Sequence, residues 1–365
     1  MANSYFFTGF PGFICTSLIK RLIESEYDIN YFYLLVLPSL KGKAENEINR
    51  ITNEKKISPK KFILIEGDIT KRNLGIGPEL NEQLSKKITH VFHLAAIYDL
   101  AVPKRLAYDV NVTGTNQVND WILNLHTIQR YIYFSTAYVS GTREGRIVET
   151  ELEANQTFKN HYEQTKFEAE KLVRSVIDKV PTTIIRPGVV KGNSETGETV
   201  KFDGPYFMLN MFENLRFLPI IPYLGTGAAE GNFVPIDYIL KATIYLGHSD
   251  IGVGKTYHLT DPSPYTMKEV YKMLMVQYLG KKPVGKIPVW LAKASLTIPG
   301  IRKRLKVEKE ALDYFTCLTT YDCTQAQLDL EGSGIECPDF KETLESMTVF
   351  YEKHKNDVEK HIEIS

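Results

Sequence analysis

Six strand-length apolar runs mark the first half of the chain: "SYFFTG", "YFYLLVL", "KFILIEGD", "THVFHLAA", "RYIYFSTA" and "TTIIRPG". Between them the spacing of apolar positions changes to that of helices. A helix is predicted from Gly12, a polar one in "KAENEINRIT", one near 79–86, a long one over 103–126 and one over 161–178. Strands alternating with crossover helices predict an α/β fold on a doubly wound parallel sheet.

After about residue 190 the texture changes. "KGNSETGETVKFDGPYF" is polar and glycine-rich and reads as a long loop, and about 193–231 carries no decipherable code. "FVPIDYILKATIYLG", "YTMKEVYKMLMVQYLG" and the last helix, "FKETLESMTVFYEKHK", read as helical pieces separated by turns. The expected division is a first domain over 1–190 and a smaller C-terminal α/β substrate lobe over 191–365, with chain near 232–260 returning to the sheet. Such a lobe would cover the sheet's carboxyl edge, where ligands bind in these folds.

Composition narrows the partners. Lys+Arg and Asp+Glu balance at 44 each in 365 residues, which favours neither nucleic acid nor an acidic membrane. The apolar runs are too short to span a bilayer. The N-terminus enters the first strand without a basic leader or cleavage site, so a cytoplasmic location is expected. Cys15, Cys317, Cys323 and Cys337 fit no metal or disulfide spacing and no histidines cluster near them, so no metal is expected and the thiols read as reduced. The stretch "IPVWLAKASLTIPGIRKRLK" (287–306) is apolar on one side and basic at its end. Such a stretch could touch a lipid surface or an acyl carrier. Proline and glycine interrupt it, so it reads rather as a lobe helix followed by a solvated charge run.

Gly9 and Gly12 lie where the first strand gives way to a helix. Backbone N–H groups and a helix N-terminus hold a pyrophosphate in that geometry, Gly9 allowing the turn and Gly12 the approach of phosphate. This is the cradle of a Rossmann dinucleotide-binding domain. The third small residue of such turns mainly governs helix–sheet packing, so Cys15 in its place would loosen packing without blocking phosphates. The second strand ends in "LLVLPSLKGK", with no acid to bind a ribose 2′-hydroxyl. Lys41 and Lys43 could meet a 2′-phosphate, which favours NADP over NAD; the alternative is that both are ordinary solvated charges.

Tyr162 and Lys166 stand four apart on one face of a predicted helix. A nearby ammonium lowers a phenol's pKa and makes tyrosine a usable general acid–base. Thr136, in "FSTAYVSG", would sit at the carboxyl edge of the fifth strand and could hydrogen-bond a substrate carbonyl. His93, ending the fourth strand without companion ligands, reads as a core or cofactor-lining residue.

With "TGFPGFIC", "GDIT", "HLAA", "NVTGT", "STAYVSG", "YEQTK", "RPGVVKG" and "NFVPIDY" in this order, the chain resembles the extended short-chain dehydrogenases/reductases over about residues 5–350. The resemblance implies a catalytic Thr136–Tyr162–Lys166 set, with Asn111 supporting the lysine through water. It also implies cofactor contacts at Thr8, Gly9, Phe10, Pro11, Gly12, Phe13 and Ile14, at Asp68 (adenine) and Ile69, at Leu94, Ala95 and Ala96, at Tyr162 and Lys166, and at Pro187, Gly188 and Val189. "GDITKRNLGI", "STAYVSG" and "GIECPDF" are similar to the fatty acyl-CoA reductase and thioester reductase (male-sterility-type NAD-binding) branch. What this implies is NADPH-dependent reduction of a carbonyl compound, foremost an acyl thioester to an aldehyde, in a protein that by family habit is a homodimer. Leu37 stands where relatives often carry an arginine for the 2′-phosphate, so NAD stays open as cofactor. The same residues would also serve a nucleotide-sugar epimerase or dehydratase, or a hydroxysteroid-type dehydrogenase. A non-catalytic NADP(H)-binding regulator would have no use for the proton donor.

Overall fold

The computed structural model describes residues 2–98, 102–307 and 309–361, without the side chains of 301 and 309–311. Its main sheet is built from β1 (Asn3–Thr8), β2 (Ile29–Val36), β3 (Phe62–Glu66), β4 (His90–His93), β5 (Arg130–Phe134), β6 (Thr182–Pro187) and β7 (Lys255–Leu259). Their spatial order is 3-2-1-4-5-6-7 and every pairing is parallel. The expected doubly wound sheet is therefore present, with a seventh strand added from the C-terminal half.

The apolar runs are continuous because both faces of the sheet are covered. On one face Tyr5 and Phe7 pack with Leu18 and Ile19 of α1 (Phe13–Ile23), Ile48 of α2 (Lys41–Lys55) and Ile239 of a later helix, α8 (Ile236–His248). Phe6, one residue out of phase, faces the other layer. There it meets Leu84 of α3 (Pro78–Ser85), Trp121 of α5 (Gly114–Ile122) and Val173 of α6 (His161–Arg174). Side chains alternate across a strand, so a one-residue slip would exchange the two layers.

Several expected elements differ in extent. The helix expected over 103–126 consists of α4 (Lys104–Ala107), one π-helical turn (Tyr108–Thr113) and α5. The helix expected over 161–178 stops at Arg174. The supposed loop 193–231 contains α7 (Tyr206–Leu215), whose Tyr206, Leu209 and Phe212 are buried. α7 packs with α9 (Met267–Leu279), α10 (Val289–Leu296) and α12 (Leu344–His354) around a separate core that includes Leu274, Leu296, Met347 and Tyr351. Short parallel pairs sew this lobe to the sheet's carboxyl edge: 189–191 with 233–235, and 145–147 with 319–321. No helix among the described residues is long and apolar enough to cross a membrane.

Candidate active site

The carboxyl edge of the sheet and the lobe enclose a cavity of about 910 Å³. One end is the glycine turn. Gly9 has φ +93°, a left-handed conformation, and a Cβ there would lie 2.8 Å from the Ala95 nitrogen. A Cβ on Gly12 would lie 2.7 Å from the Gly9 carbonyl oxygen. Any side chain would thus fill the cradle, as expected where backbone approaches phosphate. Gly12 caps α1 without a side-chain partner, and the first turn of α1 holds no acid. Its orphan N–H groups and dipole are thus available to an anion. Cys15 is buried against the sheet, and burial pushes its thiol far above the ordinary range, so it packs and does not react.

Of the residues expected to contact a cofactor, the cavity is lined by Thr8 through Ile14, Lys43, Asp68, Ile69, Leu94 through Ala96, Pro187 through Val189, Tyr162 and Lys166. Asp68 is held in place by accepting from the Thr70 N–H and hydroxyl, both at 2.8 Å. Lys41 is not among the lining residues. Both lysines lie in the first turn of α2 rather than on a loop, and Lys41 is paired with Glu66, at the end of β3, at 2.7 Å. His93 is a satisfied core histidine, its nitrogens 2.7 Å from the Thr8 hydroxyl and 3.1 Å from that of Thr115. Burial pushes its pKa down to about 3, leaving it neutral.

The middle of the cavity brings together Thr136, Tyr162 and Lys166. β5 ends at Phe134, and Thr136 caps the tight turn that follows by accepting from the Tyr138 N–H at 3.3 Å. Asn160 caps α6 by accepting from the Glu163 N–H at 2.9 Å, which fixes the first turn that carries Tyr162. Burial pushes the Tyr162 phenol well above its usual pKa, while a hydrogen bond from Thr136 pulls it down. Lys166 does not act on that phenol in this arrangement. Its ammonium donates to the Tyr133 hydroxyl at 3.0 Å and the Phe134 carbonyl at 2.6 Å. Burial pushes its pKa down to about 7, and Glu170, one turn further along α6, holds it up. Glu170 is itself locked: Ser135 donates to it at 2.5 Å and Arg186 clamps both its oxygens. Burial would raise its pKa, yet the Arg186 charge holds it at about 2.

Asn111 lies inside the π-helical turn and outside the cavity lining. It accepts from the Ile97 N–H at 2.8 Å, donates to the Ile97 carbonyl at 3.3 Å, and donates to Thr165 of α6 at 3.0 Å. Its direct contacts therefore hold the segment after β4 against α6, and none of them is with Lys166. Single π turns concentrate at functional sites.

Two walls of the cavity have no counterpart in the expected residues. Phe207, Met208, Met211 and Leu224 extend it into the lobe as an apolar arm. Tyr138, Tyr314 and Tyr321 form an aromatic corner beside Tyr162, with Tyr138 edge-on to both of the others. Tyr138 lay within the quoted "STAYVSG"; nothing in the sequence around Tyr314 marked it.

The sequence profile of the male sterility protein family matches residues 7–243. A Drosophila melanogaster protein named as a fatty acyl-CoA reductase is 25% identical over 67% of this chain and 52% of its own length. A non-canonical nonribosomal peptide synthetase of Aspergillus campestris is 28% identical over 74% of this chain and 27% of its own. The chain thus spans about half or less of the length of these relatives. Among solved structures, the terminal R domain of the myxalamid biosynthetic pathway superposes with a TM-score of 0.80 at 23% identity, covering 99% of this chain and 93% of that one. The UDP-glucuronic acid 4-epimerase of Bacillus cereus, in complex with NAD, superposes at 0.64 and 17% identity over 96% and 99%. These two likenesses are of fold.

Proposed function

The chain belongs to the male sterility protein family of NAD(P)-binding extended short-chain dehydrogenases/reductases, and from that premise we propose that it reduces an acyl thioester to an aldehyde, with NADPH preferred. The observation that carries this reading is one cavity joining three parts: an anion cradle at α1, the Thr136–Tyr162–Lys166 group, and an apolar arm in the lobe. A nicotinamide dinucleotide would be held by the glycine turn, Asp68 and Ala95–Ala96, and would supply the hydride for the carbonyl carbon. Thr136 and Tyr162 hydrogen-bond the substrate's oxygen, and Tyr162 donates its proton as negative charge develops there. The phenol is protonated at neutral pH, the state a donor requires, and burial pushes its pKa further up. The resulting hemithioacetal loses its thiol and leaves the aldehyde. Lys166, held on Tyr133 and Phe134, lines the same cavity and is positioned to meet the bound dinucleotide rather than the phenol. The lobe beyond about residue 190 supplies the wall for the acyl group.

The test is oxidation of NADPH, with NADH in parallel, against a panel of acyl-CoAs, aldehydes and ketones. Activity on thioesters supports the reading. Turnover confined to ketones or alcohols overturns it in favour of a hydroxysteroid-type dehydrogenase. The fold likeness to an epimerase motivates a second measurement: an epimerase retains tightly bound NAD through its cycle, so the purified protein is expected to release no stoichiometric NAD on denaturation.

Cofactor choice rests on α2 and β3. A charge-assisted contact to a 2′-phosphate contributes roughly 1.5–3 kcal/mol, so one such contact gives NADPH a preference of about ten- to a hundred-fold. Lys43 lines the cavity, whereas Lys41 is held by the carboxylate of Glu66, which also places a negative charge near that position. Glu66→Gln is expected to strengthen NADPH binding several-fold with little change for NADH. Lys41→Ala/Lys43→Ala should raise the Michaelis constant for NADPH alone. Equal responses of the two cofactors to both variants would show that these side chains are solvated charges.

A further inference from the structure

The balance of charge over the whole chain hides one asymmetric face. Residues 280–307 contain eight lysines and arginines and no aspartate or glutamate. The structure builds this stretch into α10 and α11 (Pro299–Leu305) and sets it beside the loop that follows α7. Lys286–Ile287 pairs in parallel with Tyr223–Leu224, Val284 N–H donates to the Ile221 carbonyl at 3.1 Å, and the Arg304 guanidinium lies 5.8 Å from the centre of the Phe217 ring. Phe217, Ile220, Val284, Trp290 and Ile298 on these joined segments are each more than half exposed. Some cations are committed: Lys281 donates to the Arg216 and Leu218 carbonyls, and Lys293 is paired with Asp313. Lys282, Lys286, Lys303 and Arg304 are exposed, and the first three form no ion pair among the described residues.

We propose that this face docks the protein on the surface of a bilayer that carries anionic headgroups. Large apolar side chains standing out from short, proline-interrupted helices suit the headgroup boundary, which accepts an irregular convex surface. A tryptophan among them is suited to that boundary by its amphipathic ring. The surrounding cations meet the lipid phosphates, each near the surface contributing about five-fold in partitioning. The placement also connects to the cavity: immediately after α11 the chain becomes its wall, through Val307, Leu312 and Phe315. Docking would bring that wall, and the apolar arm behind it, to the level of the lipid. The inference stands independently of the reduced group, because it uses no residue of the catalytic centre.

The chain reports on its own docking, since it has two tryptophans, Trp121 at 4% exposure and Trp290 at 69%. The experiment mixes the protein with vesicles of phosphatidylcholine and phosphatidylglycerol, and with phosphatidylcholine alone. Co-sedimentation and tryptophan emission are followed at low and high salt. The expected result is sedimentation and a blue shift with the anionic vesicles only, both weakened by salt, and no shift in Trp290→Ser. Lys282→Glu/Lys286→Glu/Lys303→Glu should weaken partitioning by at least about a hundred-fold while leaving NADPH oxidation with a short, soluble substrate unchanged. Undiminished binding by the triple variant, or no binding to anionic vesicles at low salt, overturns the proposal. So does a Trp290 shift produced by raising the protein concentration alone, or by an acidic carrier protein where vesicles give none.

Discussion

Tyr162→Phe is expected to lower turnover by about 10²–10⁴-fold while leaving the affinity for NADPH within about two-fold, the range typical of losing one positioned proton donor. The ring stays, so its packing stays. Tyr162 is 9% exposed and stands edge-on to Tyr98 at 5.1 Å between centroids, contacts that phenylalanine keeps. What is lost is the hydroxyl, the hydrogen bond with Thr136 and the phenol's proton. The glycine cradle does not include this hydroxyl and should bind its dinucleotide as before. The measurements are steady-state NADPH oxidation and a fluorescence titration of NADPH. Turnover within about three-fold of wild type would remove Tyr162 from the donor's role and return the site to the reading of a binding protein.

The sheet was legible because buried parallel strands are continuous apolar runs, and six of the seven were visible as such. The seventh, Lys255–Leu259, is half polar in sequence ("KTYHL"), because its edge position leaves Lys255 free to pair with Asp329. The glycine turn and the Tyr162–Lys166 pair were legible because each is a set of particular residue types at fixed spacing, and the structure places both on one cavity. The helix expected in "KAENEINRIT" begins two residues earlier, at Lys41, although Pro38 and Gly42 are turn-forming residue types. Proline instead occupies the first position of a short helical turn, where its missing N–H costs nothing, and Gly42 lies on an open surface. The π turn around Asn111 leaves no mark in sequence, because one extra residue per turn preserves the local helical texture of "YDVNVT". α7 was hidden by its polar approach, although "YFMLNMFENL" carries the apolar content of a core helix. Nor does i,i+4 spacing tell where a long side chain points: Lys166 shares a helix face with Tyr162 and yet bonds across to β5.

That last feature carries a second strong expectation: Lys166→Met should disable the enzyme and stabilise its fold. The ammonium is 4% exposed and has no carboxylate within bonding distance, only the Tyr133 hydroxyl and the Phe134 carbonyl. Its pKa, 10.5 in the unfolded chain, is pushed down by burial to about 7 in the fold. Between those values the unfolded chain holds one more proton than the folded one, so stability rises with pH across this window. The cost of burying the charge is therefore complete below about pH 7 and fades toward pH 10.5. A displacement of this size corresponds to roughly 5 kcal/mol as an upper bound. Methionine keeps most of the aliphatic stem but leaves the Phe134 carbonyl unpaired, which costs about 1–3 kcal/mol. The net expectation is a gain of about 2–4 kcal/mol at pH 6 that shrinks or reverses by pH 10. Urea unfolding of the two proteins at both pH values measures it. In the same variant kcat/KM for NADPH should fall by about 10²-fold or more, and any limb near pH 7 in its pH profile should vanish, because that parameter reports groups of the free enzyme. A variant that is less stable at pH 6, or whose difference from wild type is the same at both pH values, would show that Lys166 sits in this site without strain.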